Sequence, residues 1–241
     1  MKEEGKVKKM ENNRFMVVKL RERRDIEGIS LFHYVTNGIN PEKDALRNLV
    51  FKFKGETLSS ELFREFLAEK ISQYLPLILG CKKEDLVLLC VPTSKKSTVE
   101  TRYKGFCDKL NSMGLKADYT TLYLNEDVTT KHTSYYGFNS NSNSKTFSEC
   151  LRANRENLKD LKGKKVVIFD DVITMGNNIR NCHDILKSNG IDSIFLTMGR
   201  TYNETYELRE TSATIYTYGG GIKGLMENLI NFPNSSRKTA I

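Results

Sequence analysis

The sequence predicts an α/β fold: a mostly parallel central sheet flanked by helices, with a small N-terminal hairpin and helical appendage. Three observations carry this expectation. Apolar runs with little polar alternation occur at 85–91 (DLVLLCV), 166–169 (VVIF) and 191–198 (IDSIFLTM), the pattern of strands buried on both faces. Helical patterns lie before and between them, as parallel crossovers require. Residues 165–190 then pass from one such strand through two adjacent carboxylates, Asp170 and Asp171, and a polar Gly-bearing loop. That loop opens a helix with Ile179, Cys182, Ile185 and Leu186 on one stripe and Gly190 placed to cap it.

Composition bounds the rest. A chain of 241 residues is one large domain or a core with a small appendage. It divides into a basic arm (1–13), a hairpin with helices (14–80), a core (81–233) and a tail (234–241). Charged residues at 28% and hydrophobic residues at 39% are ordinary for a globular protein. No apolar run approaches the ~18 residues that span a bilayer, and the opening MKEEGKVKKMENN lacks the apolar centre of a signal peptide. The five cysteines (81, 90, 107, 150, 182) are odd in number and include no CxxC pair. Reduced thiols and a cytoplasmic location are therefore expected, without a disulfide framework, zinc site or membrane partner. Of the net charge of +8, residues 1–24 carry +5 (nine Lys/Arg against four Glu). With no aromatics interleaved, this arm reads as a solvated extension, and nucleic acid is its weaker candidate partner.

In chain order, 14–20 (RFMVVKL) and 29–35 (ISLFHYV) read as a hairpin outside the main sheet. Pro41 opens a helix to about Phe51, and 59–75 forms a longer one with Leu62, Phe63, Phe66, Leu67 and Ile71 at helical spacing. After the strand at 85–91 comes the loop Pro92, Thr93, Ser94, Lys95, Lys96, then a helix from Arg102 to about Met113. Residues 117–124 (ADYTTLYL) read as one further core strand. The Ser/Asn-rich stretch 125–150, with NSNSNSK at 139–145, has the length of a functional lid or an insert. Residues 149–165 read as a basic helix broken at Gly163, and 213–218 as a last strand before the turn at 219–221 and a short helix at 225–230. His183 lies in the motif helix and reads as structural, whereas His132 falls in the lid stretch. No metal-ligand spacing is present.

The chemistry of 165–190 follows from its parts. A helix N-terminus behind Gly and small polar residues is a phosphate cradle. Carboxylates just upstream suit a neutral, hydroxyl-bearing group joined to that phosphate, and a 5-phosphorylated ribose meets both demands.

VVIFDDVITMGNN (166–178) resembles the 5-phosphoribosyl-1-pyrophosphate (PRPP) motif of type I phosphoribosyltransferases: four apolar residues, two acids, two apolar residues and a Thr/Ser-x-Gly loop. That loop usually ends in Thr, where this chain has Asn178, whose amide can still donate to phosphate. The segments ALRNLVFKFKGE (45–56), RYKGFC (102–107) and LRANRENL (151–158) resemble parts of the ComF-like and amidophosphoribosyltransferase-like members. Where those carry Arg-Gly-Phe-Asn, this chain has Arg102, an intervening Lys104, Gly105-Phe106 and Cys107.

The resemblance implies a type I phosphoribosyltransferase fold and an enzyme. Such an enzyme transfers ribose 5-phosphate from PRPP to a small nitrogen nucleophile, releases pyrophosphate and works with Mg2+ held mainly by ligand and water. It implies that Asp170 and Asp171 hold the ribose hydroxyls as the catalytic pair, with contact to the Mg2+ open to both. Thr174, Met175, Gly176, Asn177 and Asn178 would take the 5-phosphate, and Thr93, Ser94, Lys95 and Lys96 the pyrophosphate. Arg102, Lys104, Lys131, Lys145 and Arg152 are candidate lid or phosphate contacts. A homodimer is compatible with this reading. The alternative is a non-catalytic PRPP- or nucleotide-binding regulator or DNA-uptake accessory protein.

Overall fold

The computed structural model describes residues 18–22, 26–35, 41–128, 145–174, 176–202 and 214–215. Strands β1 (Val18–Glu22) and β2 (Ile26–Val35) precede helices α1 (Pro41–Lys54) and α2 (Leu58–Leu79). Next come β3 (Leu86–Cys90), α3 (Ser97–Ser112), β4 (Lys116–Asp118) and β5 (Leu122–Leu124). After the segment outside the description follow α4 (Phe147–Cys150), β6 (Leu151–Ala153), α5 (Arg155–Lys159) and β7 (Lys165–Ile173). Helix α6 (Asn177–Lys187), β8 (Ser193–Tyr202) and β9 (Thr214–Ile215) complete the described elements.

The main sheet runs β4-β3-β7-β8-β2-β1-β9. Its first five strands are mutually parallel, and β1 is antiparallel to both of its neighbours. Central strands are apolar throughout because both faces are covered. On β3, Leu86, Leu88 and Cys90 join Val167 and Phe169 of β7 under α1, α2 and α3. The alternate residues Val87, Leu89, Val166 and Ile168 pack with Ile179, Cys182 and Leu186 of α6. The result is a layered α/β architecture with helices on both sides of a mostly parallel sheet.

Four expectations need correction. The N-terminal hairpin, expected outside the main sheet as part of an appendage, belongs to that sheet: β2 pairs in parallel with β8, Gly28 opposite Phe195. Gly is suited to that position, because an added Cβ would run into the Phe195 ring. The single strand expected at 117–124 is two. Asp118 accepts from the Thr120 amide at 2.6 Å and from the Thr121 hydroxyl, which turns the chain after β4 and sends β5 to a separate two-stranded sheet with β6.

The basic helix expected over 149–165 shrinks to α5. Residues 151–153 are drawn into β6 by pairing with β5, and the Asn154 side chain starts α5 by accepting from the Glu156 amide at 3.1 Å. Finally, β7 does not stop before the acids but continues through them to Ile173 by pairing with β8. The arm at 1–13, the turn at 219–221, the helix at 225–230 and the tail lie outside the described residues.

Among the described residues no helix is long and apolar enough to cross a membrane. All five cysteines are free, four of them buried, and Cys90 lies 3.7 Å from Cys107, sulfur to sulfur.

Candidate functional site

Strand β7 outlasts β3. Their ladder ends at Phe169, where the Val91 amide donates to the Phe169 carbonyl at 2.8 Å, and the next two residues are Asp170 and Asp171. The acids therefore stand past the carboxyl end of β3, in the crevice where parallel sheets receive ligands. Strand alternation sends them to opposite faces. Asp171 follows Val167 and Phe169 toward α1 and α3, and Asp170 follows Val166 and Ile168 toward α6.

Asp171 is 5% exposed and is bracketed by two cations. Lys54 Nζ, from the last residue of α1, lies 3.0 Å from Oδ1, and Arg102 Nη1, from α3, lies 3.4 Å from Oδ2. Asp170 accepts the amide of Asp171 at 2.9 Å. Burial, and then the adjacent Asp171 carboxylate, push the Asp170 carboxyl up to about 8, against the smaller opposing pull of that amide, Lys54 and Arg102. The pair thus combines an Asp170 carboxyl of raised proton affinity with an Asp171 side chain that meets a cation at each oxygen.

Aromatic packing sets these positions. Phe53, Tyr103, Phe106 and Phe169 form one buried cluster, Phe106 stacking on Phe169 at 5.0 Å and Phe53 meeting Tyr103 at 6.0 Å. Lys54 follows Phe53 in the chain, Arg102 precedes Tyr103, and Asp170 follows Phe169. Lys54, Arg102 and Asp170 are thereby fixed to one apolar support.

The phosphate-loop residues lie at the start of α6. Gly176 takes a left-handed backbone (φ 68°, ψ 8°) before the helix, a conformation that favours glycine, and Arg180 donates its amide to the Gly176 carbonyl at 2.9 Å. Asn177 and Asn178 are the exposed first residues of α6, and Thr174 is exposed just before them. The first turn of α6 contains no acid, so its positive end is not neutralised from within. Met175 lies outside the described residues.

In the loop after β3, Thr93 is buried and donates to the Lys95 carbonyl at 2.5 Å. The Ser94 carbonyl accepts from the Val128 amide at 2.9 Å. Lys96 is engaged twice, its amide by Asp127 at 2.8 Å and its ammonium by the Asn125 carbonyl at 3.0 Å. Lys95 is exposed. Strand end and charge are as expected, but of the two lysines Lys96 is bound to the start of the following loop. A cavity of about 560 Å3 adjoins this loop, with Pro92, Lys96, Val99, Tyr119, Leu122 and Tyr123 in its lining, which includes neither acid.

Of the candidate lid and phosphate contacts among the described residues, only Arg102 is brought to the acids. Lys104 points elsewhere on α3 and pairs with Glu100 at 3.3 Å. Lys145 pairs with Glu126, and Arg152 donates to the Glu149 and Leu151 carbonyls of its own segment. Lys131 and His132 lie outside the described residues. His183 is buried, with Nδ1 2.8 Å from the Ser193 hydroxyl, and burial lowers its proton affinity.

Sequence reasoning missed Lys54 as a site residue, although the segment that carries it, FKFKGE, was noted for its resemblance. It also missed Arg64, a buried cation with no motif to mark it.

Among the described residues no group of three His, Cys, Asp or Glu could hold a metal ion. Both oxygens of Asp171 are already met by cations, Lys54 and Arg102. Searches against models of known protein families and against curated proteins find no match for this chain.

Proposed function

We propose that the site binds PRPP with Mg2+ and that the protein is a phosphoribosyltransferase of the type I fold, acting on a small nitrogen nucleophile. The observation that carries this reading is the juxtaposition at the end of β7. An acid pair lies between a helix start without acids and two cations from α1 and α3.

The 5-phosphate is received by the amides at the start of α6, helped by Thr174, Asn177 and Asn178. Asp170 and Asp171 take the ribose hydroxyls, which donate to their carboxyl oxygens. The bond from C1 to pyrophosphate breaks as the bond from C1 to the nitrogen nucleophile forms. Magnesium, when bound, supplies charge neutralisation for the departing pyrophosphate.

The test is calorimetric titration of the full chain with PRPP and Mg2+, beside the Asp170→Asn/Asp171→Asn double variant. Magnesium-dependent binding, lost in the variant, supports the reading, and pyrophosphate release is then screened against ammonia, amines and nucleobases. A wild-type protein that binds no PRPP sinks it.

A further inference from the structure

We propose that Lys54 is a ligand-contacting cation of this site and that Arg64 is its positioning residue, an inference that rests on the reading of the site as a PRPP cradle.

The charge count is the first observation. One carboxylate, Asp171, has a cation at each oxygen, Lys54 at 3.0 Å and Arg102 at 3.4 Å. A single partner would neutralise it. The second cation at Asp171 is therefore surplus to that one carboxylate. That surplus sits beside the start of the phosphate loop, where an anionic ligand can collect it.

Exposure is the second. The Lys54 side chain is 40% exposed while its partner carboxylate is buried. Its ammonium therefore lies at the mouth of the site, with one of its three donors engaged by Asp171 among the described residues. A phosphate oxygen can approach without Lys54 first giving up a buried position. Lys96 is less able to play this part, because the Asn125 carbonyl already takes its ammonium.

The third observation is how the Lys54 turn is fixed. Arg64 of α2 is 3% exposed and spends one nitrogen, Nη1, on the carbonyls at either side of Lys54: Phe53 at 3.0 Å and Gly55 at 2.7 Å. Burial lowers the proton affinity of this guanidinium, Glu61 opposes that in part, and Arg102 lowers it by less. A buried cation is a costly way to hold a helix end. The same turn is closed from the other side, where a Cβ on Gly55 would strike the Ser60 hydroxyl, itself 3.0 Å from the Thr57 hydroxyl that caps α2. Backbone, cap and guanidinium together leave the Lys54 Cα one position.

The test titrates Mg2+ and PRPP into the full-length wild-type protein and into Lys54→Met, Arg64→Met and the double variant, with a melting curve for each. Lys54→Met is expected to weaken binding roughly 10- to 100-fold, the range for losing one charged hydrogen bond. Arg64→Met is expected to weaken it about tenfold in the wild-type background and not at all in the Lys54→Met background, since its effect passes through Lys54. Should either Met variant fail to fold, Lys54→Gln and Arg64→Lys replace it, the latter expected to recover part of the affinity by keeping a donor for the two carbonyls. A wild-type protein that binds no PRPP overturns the reading of the site and this inference with it. Wild-type binding that Lys54→Met leaves within twofold overturns the inference alone. An Arg64→Met that melts early but binds normally makes Arg64 merely structural and overturns its positioning role.

Discussion

Phe53 packs edge-on against Phe169, ring centroids 5.5 Å apart at 68°, and the residue after each belongs to the candidate site: Lys54 on α1 and Asp170 on β7. An apolar contact between a helix and a central strand thus places the beginning of a polar site. Directional, close-packed aromatic contacts suit this purpose, because a ring that cannot slide keeps its chain neighbours in register.

Phe53→Ala should therefore cost about 3–5 kcal/mol of stability, the usual range for emptying a fully buried aromatic position. Urea unfolding with an unchanged slope gives the value. A loss well under about 1 kcal/mol would show that the cluster does not support the site.

Asp170 makes stability depend on pH in a stated direction. Its carboxyl is raised to about 8 in the folded protein, against 3.8 for an ordinary aspartate. Between those limits the folded state keeps a proton that the unfolded state has lost. The penalty is therefore absent below about pH 4, grows as pH rises and is complete above about pH 8. Each tenfold difference in proton affinity is worth about 1.4 kcal/mol. Asp170→Asn should melt higher than wild type at pH 8.5 and about equally at pH 4, in paired thermal scans. An equal or lower melting temperature at pH 8.5 contradicts the assignment.

Gly176→Ala tests the loop. The left-handed backbone at Gly176 costs an L-residue roughly 1–2 kcal/mol. The variant should lose about that much stability, and PRPP affinity should fall with it, both read from one preparation by melting and titration. Retained affinity at reduced stability would separate the turn from the phosphate.

Gly28→Val tests the join between the hairpin and the sheet. Its side chain would collide with the Phe195 ring, and overpacking of this kind costs roughly 1–3 kcal/mol. Unfolding midpoints measure it, and a neutral result would place the ring elsewhere.

What could be read from the sequence follows from locality. Strand β7, its loop and α6 were legible because an apolar run, two acids and a glycine-led helix are adjacent in the chain, and each element agrees with the next. The end of β7 was not. Two carboxylates read as a terminator, yet Asp170, Val172 and Ile173 go on pairing with Thr197, Gly199 and Arg200 of β8. Leu151–Ala153 read as helix until a partner strand, Leu122–Leu124, claimed them. The Lys54–Asp171 pair was out of reach for the same reason: no local pattern joins a helix-end lysine to an acid more than a hundred residues on. Lys104 and Arg102 show the converse, since two cations of one short phrase face a glutamate and the acid pair respectively.

Because β2 borders β8, the second strand of the chain must wait for nearly the last one. At a synthesis rate of about 5–20 residues per second, roughly 10–30 s separate the emergence of Gly28 from that of Phe195. Throughout that interval Ile26, Ile29 and Leu31, all buried in the finished protein, belong to a strand whose parallel neighbour β8 has not yet been made. The nascent β1–β2 hairpin therefore carries one unpaired strand edge, that of β2, until β8 follows.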